Sequence, residues 1–562
     1  MIIVTERTIS FDSASKAPLA FTLMTTTTSD VGSGAQPPSP VTSENPNHQR
    51  RWLVLCIVAF AQLMVVLDGT IVSIALPAAQ EELGISDLDR AWVVTSYALA
   101  FGALLLLGGR IADYWGRKRS FIVGMAGFAI ASGIGGIAQT GMELFIARAG
   151  QGVFAALLAP AALAMLTTTF IGEKERAKAF AVYGAISGGG AAIGLLLGGV
   201  LTQYVDWRWC LLVNIPIALI AIAAAVPVIK ETKAHGDTSY DLPGAVLIAL
   251  GLGSLVYGFT RAEHGWGQTD TLLFIGLGLV FLALFVFVES RTKNPLLPLS
   301  VPWHRDRGAA LIGSMLVGAA LLGGTLYLTF YLQIVLGFSP VMAGVGSLAM
   351  TFFIVIATAI AAQLSTQIGP KPLMLAGPLF AAVGLLLLTQ IEVDSSYWTH
   401  VFPGLAFFGF GLGLLLVPMQ NLALIGVPDH DAGAASALVN ATLQIGGALG
   451  TALFTTIYAS AKSAFSADNA MPAPPEGLPA EMIPTDMANA ALPSADQLSL
   501  LPQPVQDFIS SLTDYFFGAE VAGYSAVFGW AALLIAVITP VVFVLVRAKK
   551  GDLPAEGAVH MG

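Results

Sequence analysis

Apolar runs about twenty residues long recur from Trp52 to Val546, each long enough to cross the roughly 30 Å hydrocarbon core of a bilayer as a helix. No other feature limits the fold as strongly, because a backbone in lipid must satisfy its own hydrogen bonds. Fourteen spans are expected, at 52–77, 92–109, 120–138, 143–167, 180–204, 208–229, 242–260, 271–289, 308–335, 341–363, 371–390, 400–424, 433–461 and 524–546. Only 11% of the 562 residues are charged, against about 25% in a soluble domain, and mean hydropathy is +0.77. That excludes a soluble enzyme, a nucleic-acid-binding domain and a secreted module. The net charge of −9 resides largely in loops and points to no polyanionic partner. Cys56 and Cys210 both fall inside apolar runs and read as small packing residues. No Gly-Lys dipeptide occurs, so ATP hydrolysis on a Walker phosphate loop is not expected.

The expected layout is a disordered cytoplasmic tail over 1–51, with Met24 a candidate alternative start, and a six-helix half over 52–229. Two inserted helices with their linkers follow over 230–307, then a second six-helix half over 308–546 and a tail over 547–562. The second half contains a long loop, 462–523, rich in Pro, Ala and acid, in which a short amphipathic helix is expected near 505–517. Placing the N-terminus inside puts nineteen Lys and Arg on the cytoplasmic side, from Arg50 and Arg51 through Arg117, Lys118 and Arg119 to Arg547, Lys549 and Lys550. Only Arg90, Arg208, Arg261 and Lys462 then fall outside. Lys and Arg are retained on the cytoplasmic side, so both termini are expected inside and the 462–523 loop outside.

A repeat spans the two halves. The run from Gly109 through Asp113 and Gly116 to Lys118 closes at Gly124, and 253 residues later the run from Ala362 through Gly369 to Lys371 closes at Gly377. Gly190-Ala-Ala-Ile-Gly194 matches Gly446-Gly-Ala-Leu-Gly450 at a spacing of 256. Near-constant spacing implies two related halves, an arrangement suited to alternating access around a central site.

Four motifs make the chain resemble the major facilitator superfamily, and within it the fourteen-helix drug:proton antiporters. They are Leu67-Asp68-Gly-Thr70-Ile71-Val72 continuing to Pro77; Gly109 to Arg119; Arg148-Ala-Gly-Gln151-Gly152; and Gly184 to Gly199 followed by Trp207-Arg208-Trp209 and Asn214-Ile-Pro216. With Gln333 and the turn Gly337-Phe-Ser-Pro340, the resemblance covers residues 52 to about 460. It implies an all-α membrane protein of the major facilitator fold and export of antibiotics or drugs from the cell by proton antiport. One position departs: the family's helix 5 motif has a proline after its first glycine, and here Leu195 follows Gly194, ahead of Gly198 and Gly199. The glycines, Gly190 included, still permit close packing, but the residue that would kink the helix is missing.

Asp68 lies ~24 Å along the first span from Trp52, taking 1.5 Å per residue. An acid at that depth costs on the order of 2.5–3.5 kcal/mol and is normally retained for an ion pathway or a buried partner. Proton coupling is the expected role, against hydrogen bonding to Thr70 or a neighbouring helix. Arg148 sits at a compatible depth; it either snorkels to headgroups or is held by a carboxylate, carbonyls or a water cavity. The resemblance implies a part in proton transfer. For Gly109, Asp113, Gly116, Arg117 and Lys118 it implies a cytoplasmic gate, with Asp113 pairing to lock the outward-open state. Gln62, Gln151, Tyr183, Tyr327, Tyr331, Gln333, Gln420, Asn421, Asn440 and Gln444 are candidates for the substrate path, whose apolar character favours lipophilic or cationic cargo. The seven histidines lie in tails, loops or span ends, which leaves no set for a metal site or intramembrane catalysis. The expected partners are protons, such small molecules and the bilayer, with no cofactor, metal or nucleic acid and a monomer sufficing. The alternative is a proton symporter or facilitator for a metabolite.

Overall fold

The computed structural model describes residues 47–170, 172–233, 241–262, 265–293, 295–297, 299–427, 432–475 and 501–548. Regular structure among them is entirely helical. Among the described residues fourteen helices are long and apolar enough to span a membrane: α1 (His48–Leu83), α2 (Trp92–Trp115), α3 (Arg117–Gly136), α4 (Gly141–Thr169), α5 (Lys174–Tyr204), α6 (Trp209–Val228), α7 (Leu242–Arg261), α8 (Thr269–Glu289), α9 (Arg305–Val335), α10 (Pro340–Ile368), α11 (Pro370–Leu388), α12 (Tyr397–Leu424), α13 (Ala435–Asp468) and α14 (Gln503–Leu545). Several begin on side-chain caps. Thr140 accepts from the Glu143 N–H ahead of α4, and Ser339, followed by Pro340, accepts from the Met342 N–H ahead of α10.

The two halves repeat one packing scheme. In the first, α1 packs on α5 while α2 and α3 pack on α4; in the second, α9 packs on α13 while α10 and α11 pack on α12. The repeated glycines serve matching contacts. Gly194 of α5 lies against Leu67 and Thr70 of α1, and Gly446 and Gly450 of α13 lie against Met315 and Ala319 of α9. Gly116 and Gly369, at φ +130° and +83°, each turn the chain into the next helix with a conformation L side chains rarely adopt. Between the halves, α5 meets α10 and α2 meets α13. The inserted pair pack on each other; α7 also touches α2 and α13, whereas α8 is mostly exposed, as lipid contact requires.

Two expectations change. The amphipathic stretch near 505–517 is no separate helix but the start of α14, which runs unbroken from Gln503 to Ala536. Its buried Phe508, Leu512 and Phe516 recur every four residues on one face, and Phe465 of the extended α13 packs on Tyr515 at 5.8 Å. Described helix therefore occupies both ends of the expected 462–523 loop. The 1–51 tail short of Asn47, Met24, residues 476–500 and the chain after Ala548 lie outside the described residues.

Candidate functional site

Asp68 is fully buried where α1, α3, α4 and α6 converge. Arg148 of α4 donates from Nη1 to Asp68 Oδ2 at 2.5 Å, and Gln151 Nε2 and Asn214 Nδ2 donate to Oδ1 at 2.7 and 2.8 Å. Behind them Ser132 Oγ of α3 accepts from Gln151 at 2.7 Å and from Asn214 at 3.3 Å. Arg148 is held in turn: its Nε donates to the Val93 carbonyl at 2.9 Å, Nη1 reaches Gln151 Oε1 at 2.8 Å, and the guanidinium carbon lies 4.6 Å from the Tyr97 ring centroid. Gly152, one turn after Arg148, makes this possible, since a Cβ there would strike the Tyr97 carbonyl and hold α4 away from α2. A buried ion pair repays its desolvation only when its remaining donors and acceptors are filled, and both oxygens of Asp68 are.

The helix 5 glycines stand behind this cluster. Gly190 meets Leu63 and Val66, Gly194 meets Thr70, and Gly198 meets Ile71, so the four-residue spacing seats α5 on the helix that carries Asp68. Leu195 and Gly199 face the other half, against Gly344, Pro340 and Val341 of α10. No break interrupts α5 at Leu195.

On the face that carries most of the Lys and Arg (the basic face), Asp113 near the end of α2 pairs at 3.0 Å with Arg117, the first residue of α3, across the Gly116 turn. What ties this loop to the protein is Glu231, which sequence reasoning missed. Its carboxylate accepts the Lys118 and Arg119 N–H groups at 3.0 and 3.1 Å, capping α3, while the Arg117 N–H donates to the Thr232 carbonyl at 3.1 Å. A Cβ on Gly116 would come within 2.6 Å of that carboxylate. Gly109 approaches Pro160 of α4, and Lys118 Nζ reaches the Val226 carbonyl at 2.7 Å.

The polar contacts that described residues of the two halves make with one another lie toward the opposite face. Gln333 Nε2 donates to the Ile74 carbonyl at 3.0 Å, and the Val341 N–H donates to Gln203 Oε1 at 3.3 Å. Beside them is a second buried charge cluster. Arg90, placed in an outer loop by its sequence position, is 1% exposed. Its guanidinium carbon lies 3.9 Å from the Phe330 ring centroid, 4.8 Å from Tyr458 and 5.6 Å from Tyr327, all in the second half. Asp87 pairs with Arg90 at 3.3 Å and with Lys462 of α13 at 2.9 Å; Lys462 also holds Glu520 of α14 at 2.5 Å. Burial pushes the Asp87 carboxyl up, but the Arg90 and Lys462 charges, with hydrogen bonds from Lys462 and Gln80, outweigh it and hold the group at about 2. Sequence offered no signal for Arg90, because its cage comes from Tyr327, Phe330 and Tyr458, more than two hundred positions away.

The expected path residues divide. Tyr183 OH donates to Gln62 Oε1 at 2.6 Å and Gln62 Nε2 donates to Ser187 Oγ at 3.1 Å, a polar group on α1 and α5. Asn440 is exposed on α13, Gln444 lies against Gly102 in the α2–α13 seam, Gln420 is half-buried, and Asn421 is buried with its Oδ1 unpartnered. Four others have different work. Gln151 belongs to the Asp68 cluster, Tyr327 to the Arg90 cage with its OH against Thr455, Tyr331 donates to the Glu392 carbonyl, and Gln333 joins the halves.

Residues 58–451 match the family model of the Major Facilitator Superfamily. The chain is 48% identical to the puromycin resistance protein of Streptomyces alboniger over 75% of its own length and 84% of that protein. It is 37% identical to the cephamycin export protein of Amycolatopsis lactamdurans over 74% and 86%. It is 33% identical to the tetracenomycin C resistance and export protein of Streptomyces glaucescens over 73% and 76%. Among solved structures, a bacterial homolog of the human lysosomal transporter Spinster, in an inward-facing unoccupied conformation, aligns with a TM-score of 0.57 at 15% identity. That alignment covers 88% of this chain and 98% of the other, and it shows a shared fold.

Proposed function

The chain belongs to the major facilitator superfamily and is a multi-pass membrane transporter, and from that premise we propose a proton-driven antiporter that exports lipophilic or cationic small molecules, antibiotics among them, across the plasma membrane. Relatives named for resistance to or export of puromycin, cephamycin and tetracenomycin C support the direction and cargo class. The observation that carries proton coupling is the Asp68 cluster: a carboxylate in the membrane interior, fully hydrogen-bonded, with a permanently charged Arg148 as its movable partner.

In this reading the basic face is cytoplasmic, both termini are inside, and the conformation is closed toward the exterior. Asp68 is here the ion-pair partner of Arg148. Between it and the exterior lie buried apolar side chains that include Val72, Leu76, Val93, Leu144 and Trp207. Parting the Arg90 cluster opens that side and admits water. A proton then binds Asp68 Oδ2 as Arg148 withdraws, and re-pairing with Arg148 after closure expels it inward. One proton supplies about 2.3 kcal/mol from 100 mV and about 1.4 from one pH unit, enough to hold a neutral cargo at a roughly hundreds-fold gradient. The Gln62–Tyr183–Ser187 group and Asn440 are the best-placed cargo contacts, and a monomer suffices. The glycine loop is the cytoplasmic gate, which this state leaves with Asp113 locally paired. The absence of the motif proline at Leu195 is the feature that favours a symporter or facilitator as the second reading.

The test is efflux of a loaded dye or antibiotic from cells and its uptake by everted vesicles. Efflux stops when an uncoupler is added, and Asp68→Asn lowers it by roughly a hundredfold, the lower end of what a positioned proton-transfer group supplies. Undiminished proton-driven efflux in that variant overturns the assignment of Asp68; inward accumulation driven by the same gradient establishes symport instead.

A further inference from the structure

Asp241 and Glu289 bracket the inserted pair of helices, one just before α7 and the other at the end of α8. Each uses one carboxylate oxygen locally: Asp241 Oδ1 accepts the Gly244 N–H at 2.8 Å, and Glu289 Oε2 accepts the Leu297 N–H at 3.0 Å. The residues are 7% and 3% exposed, and among the described residues no donor hydrogen bonds to the remaining oxygens, Asp241 Oδ2 and Glu289 Oε1. Both of these oxygens lie 2.7 Å from the point a Cβ on Gly244 would occupy, and the two carboxyl groups are within hydrogen-bonding reach of each other. Two buried anionic oxygens facing one another without a donor are doubly unfavourable, by desolvation and by repulsion. One proton between them turns that contact into a charge-assisted hydrogen bond.

We propose that Asp241 and Glu289 hold a single proton between them, a second proton-binding site distinct from Asp68, and that this shared proton fastens the inserted helices to the gate loop. The proton comes from water on the basic face, bonds to one carboxyl oxygen and is accepted by the other; no other bond changes. Two free oxygens are too few for a hard cation, which takes six or more ligands. Among the described residues the cation facing the pair is Arg110, in the glycine loop motif of α2; its Nη2 donates to the Pro295 carbonyl at 2.8 Å, two residues before Leu297. Arg291 turns away over the Phe287 ring and Lys293 is exposed, so neither neutralises the pair. Protonated, the pair holds α7, α8 and the 295–297 linker that Arg110 also grips. Deprotonated, it pushes them apart, so the contact weakens as pH rises.

The test uses the full-length protein in lipid nanodiscs, in an Asp68→Asn background so that the coupling acid is silent. Infrared difference spectra across a pH titration should show a protonated-carboxyl C=O band that fades as pH rises and that is missing in Glu289→Gln. Hydrogen exchange over 242–261 and 295–297, corrected for intrinsic rates, should speed up with pH in the parent and not in Asp241→Asn. In that variant the amide donates to Glu289 at every pH and still caps α7, as Asn caps as well as Asp. A band that persists in Glu289→Gln, an exchange profile shared by parent and Asp241→Asn, or a signal that responds to added sodium or magnesium rather than to pH each overturns the proposal.

Discussion

Removing one member of a buried ion pair strands the other, and this decides what substitutions at Asp68 and Arg148 do. Arg148→Ala leaves an anion at a position with no exposure, and the expected loss of stability is about 3–5 kcal/mol. Asp68→Asn in the same chain removes the anion and keeps an amide for Arg148's former neighbours. The double variant should therefore melt above Arg148→Ala alone, a sign of coupling that thermal unfolding in detergent reads directly. Equal melting temperatures would mean the pair contributes nothing. Asp68 and Arg148 were legible in the sequence because a charge inside an apolar run is rare enough to stand out. Ser132 was not, and Asn214 was read only as part of a motif and not as a partner of Asp68, because neutral polar residues are common in such helices. Arg90 and Glu231 escaped for a different reason: both lie between spans, where charge is ordinary, and only partners from distant segments give them their roles.

At the scale of the helix, the α1–α5 contact is the most demanding. Gly194 leaves no room for a Cβ, which would strike Thr70 Oγ1, and that hydroxyl is already committed to the Val66 and Leu67 carbonyls at 3.1 and 3.2 Å. Gly194→Ala must push α5 off α1 or displace Thr70, two residues after Asp68 on the same helix. Gly184→Ala, where nothing lies within 4 Å, is the matched control. The expectation is a drop in monodisperse protein by size-exclusion chromatography for the first and none for the second; equal yields would show that the seam has slack. Helix positions were read well from apolar runs because lipid contact demands apolar surface all along a span. The ends of α13 and α14 were misplaced because there the helices leave that regime and cover each other. Phe465, Tyr515 and Phe516 make an apolar contact on otherwise polar sequence, which hydropathy alone scores as loop.

For the whole molecule, the proposed cycle closes the outer side with a lock whose parts come from both halves, with Asp87 at its centre. Asp87→Asn removes the ion pairs to both Arg90 and Lys462; Lys462 keeps Glu520, and the Arg90 guanidinium keeps its rings Tyr327, Phe330 and Tyr458, so the lock weakens. Tyr204 and Met342, both exposed and flanking the Gln203–Val341 contact, suit spin labels at Tyr204→Cys and Met342→Cys with Cys56 and Cys210 replaced by Ser. Asp87→Asn should raise the population at longer distance, and an unchanged distribution would remove Asp87 from the lock. The pH dependence of the same distance separates lock from engine. Asp87 is held at about 2 against an ordinary 3.8, so its contribution is complete above about pH 4 and is lost only as pH falls toward 2. Between pH 5 and 8 the lock is therefore constant, and a shift in that window must come from another group. In the proposed cycle a proton reaches Asp68 only when the outer side is open, so acidification works against closure. The longer distance should grow as pH falls from 8 to 5 in the labelled parent, and in Asp87→Asn from a higher starting point, but stay flat in Asp68→Asn. A pH response that survives Asp68→Asn would locate the proton switch elsewhere and leave the Asp68 cluster a structural joint.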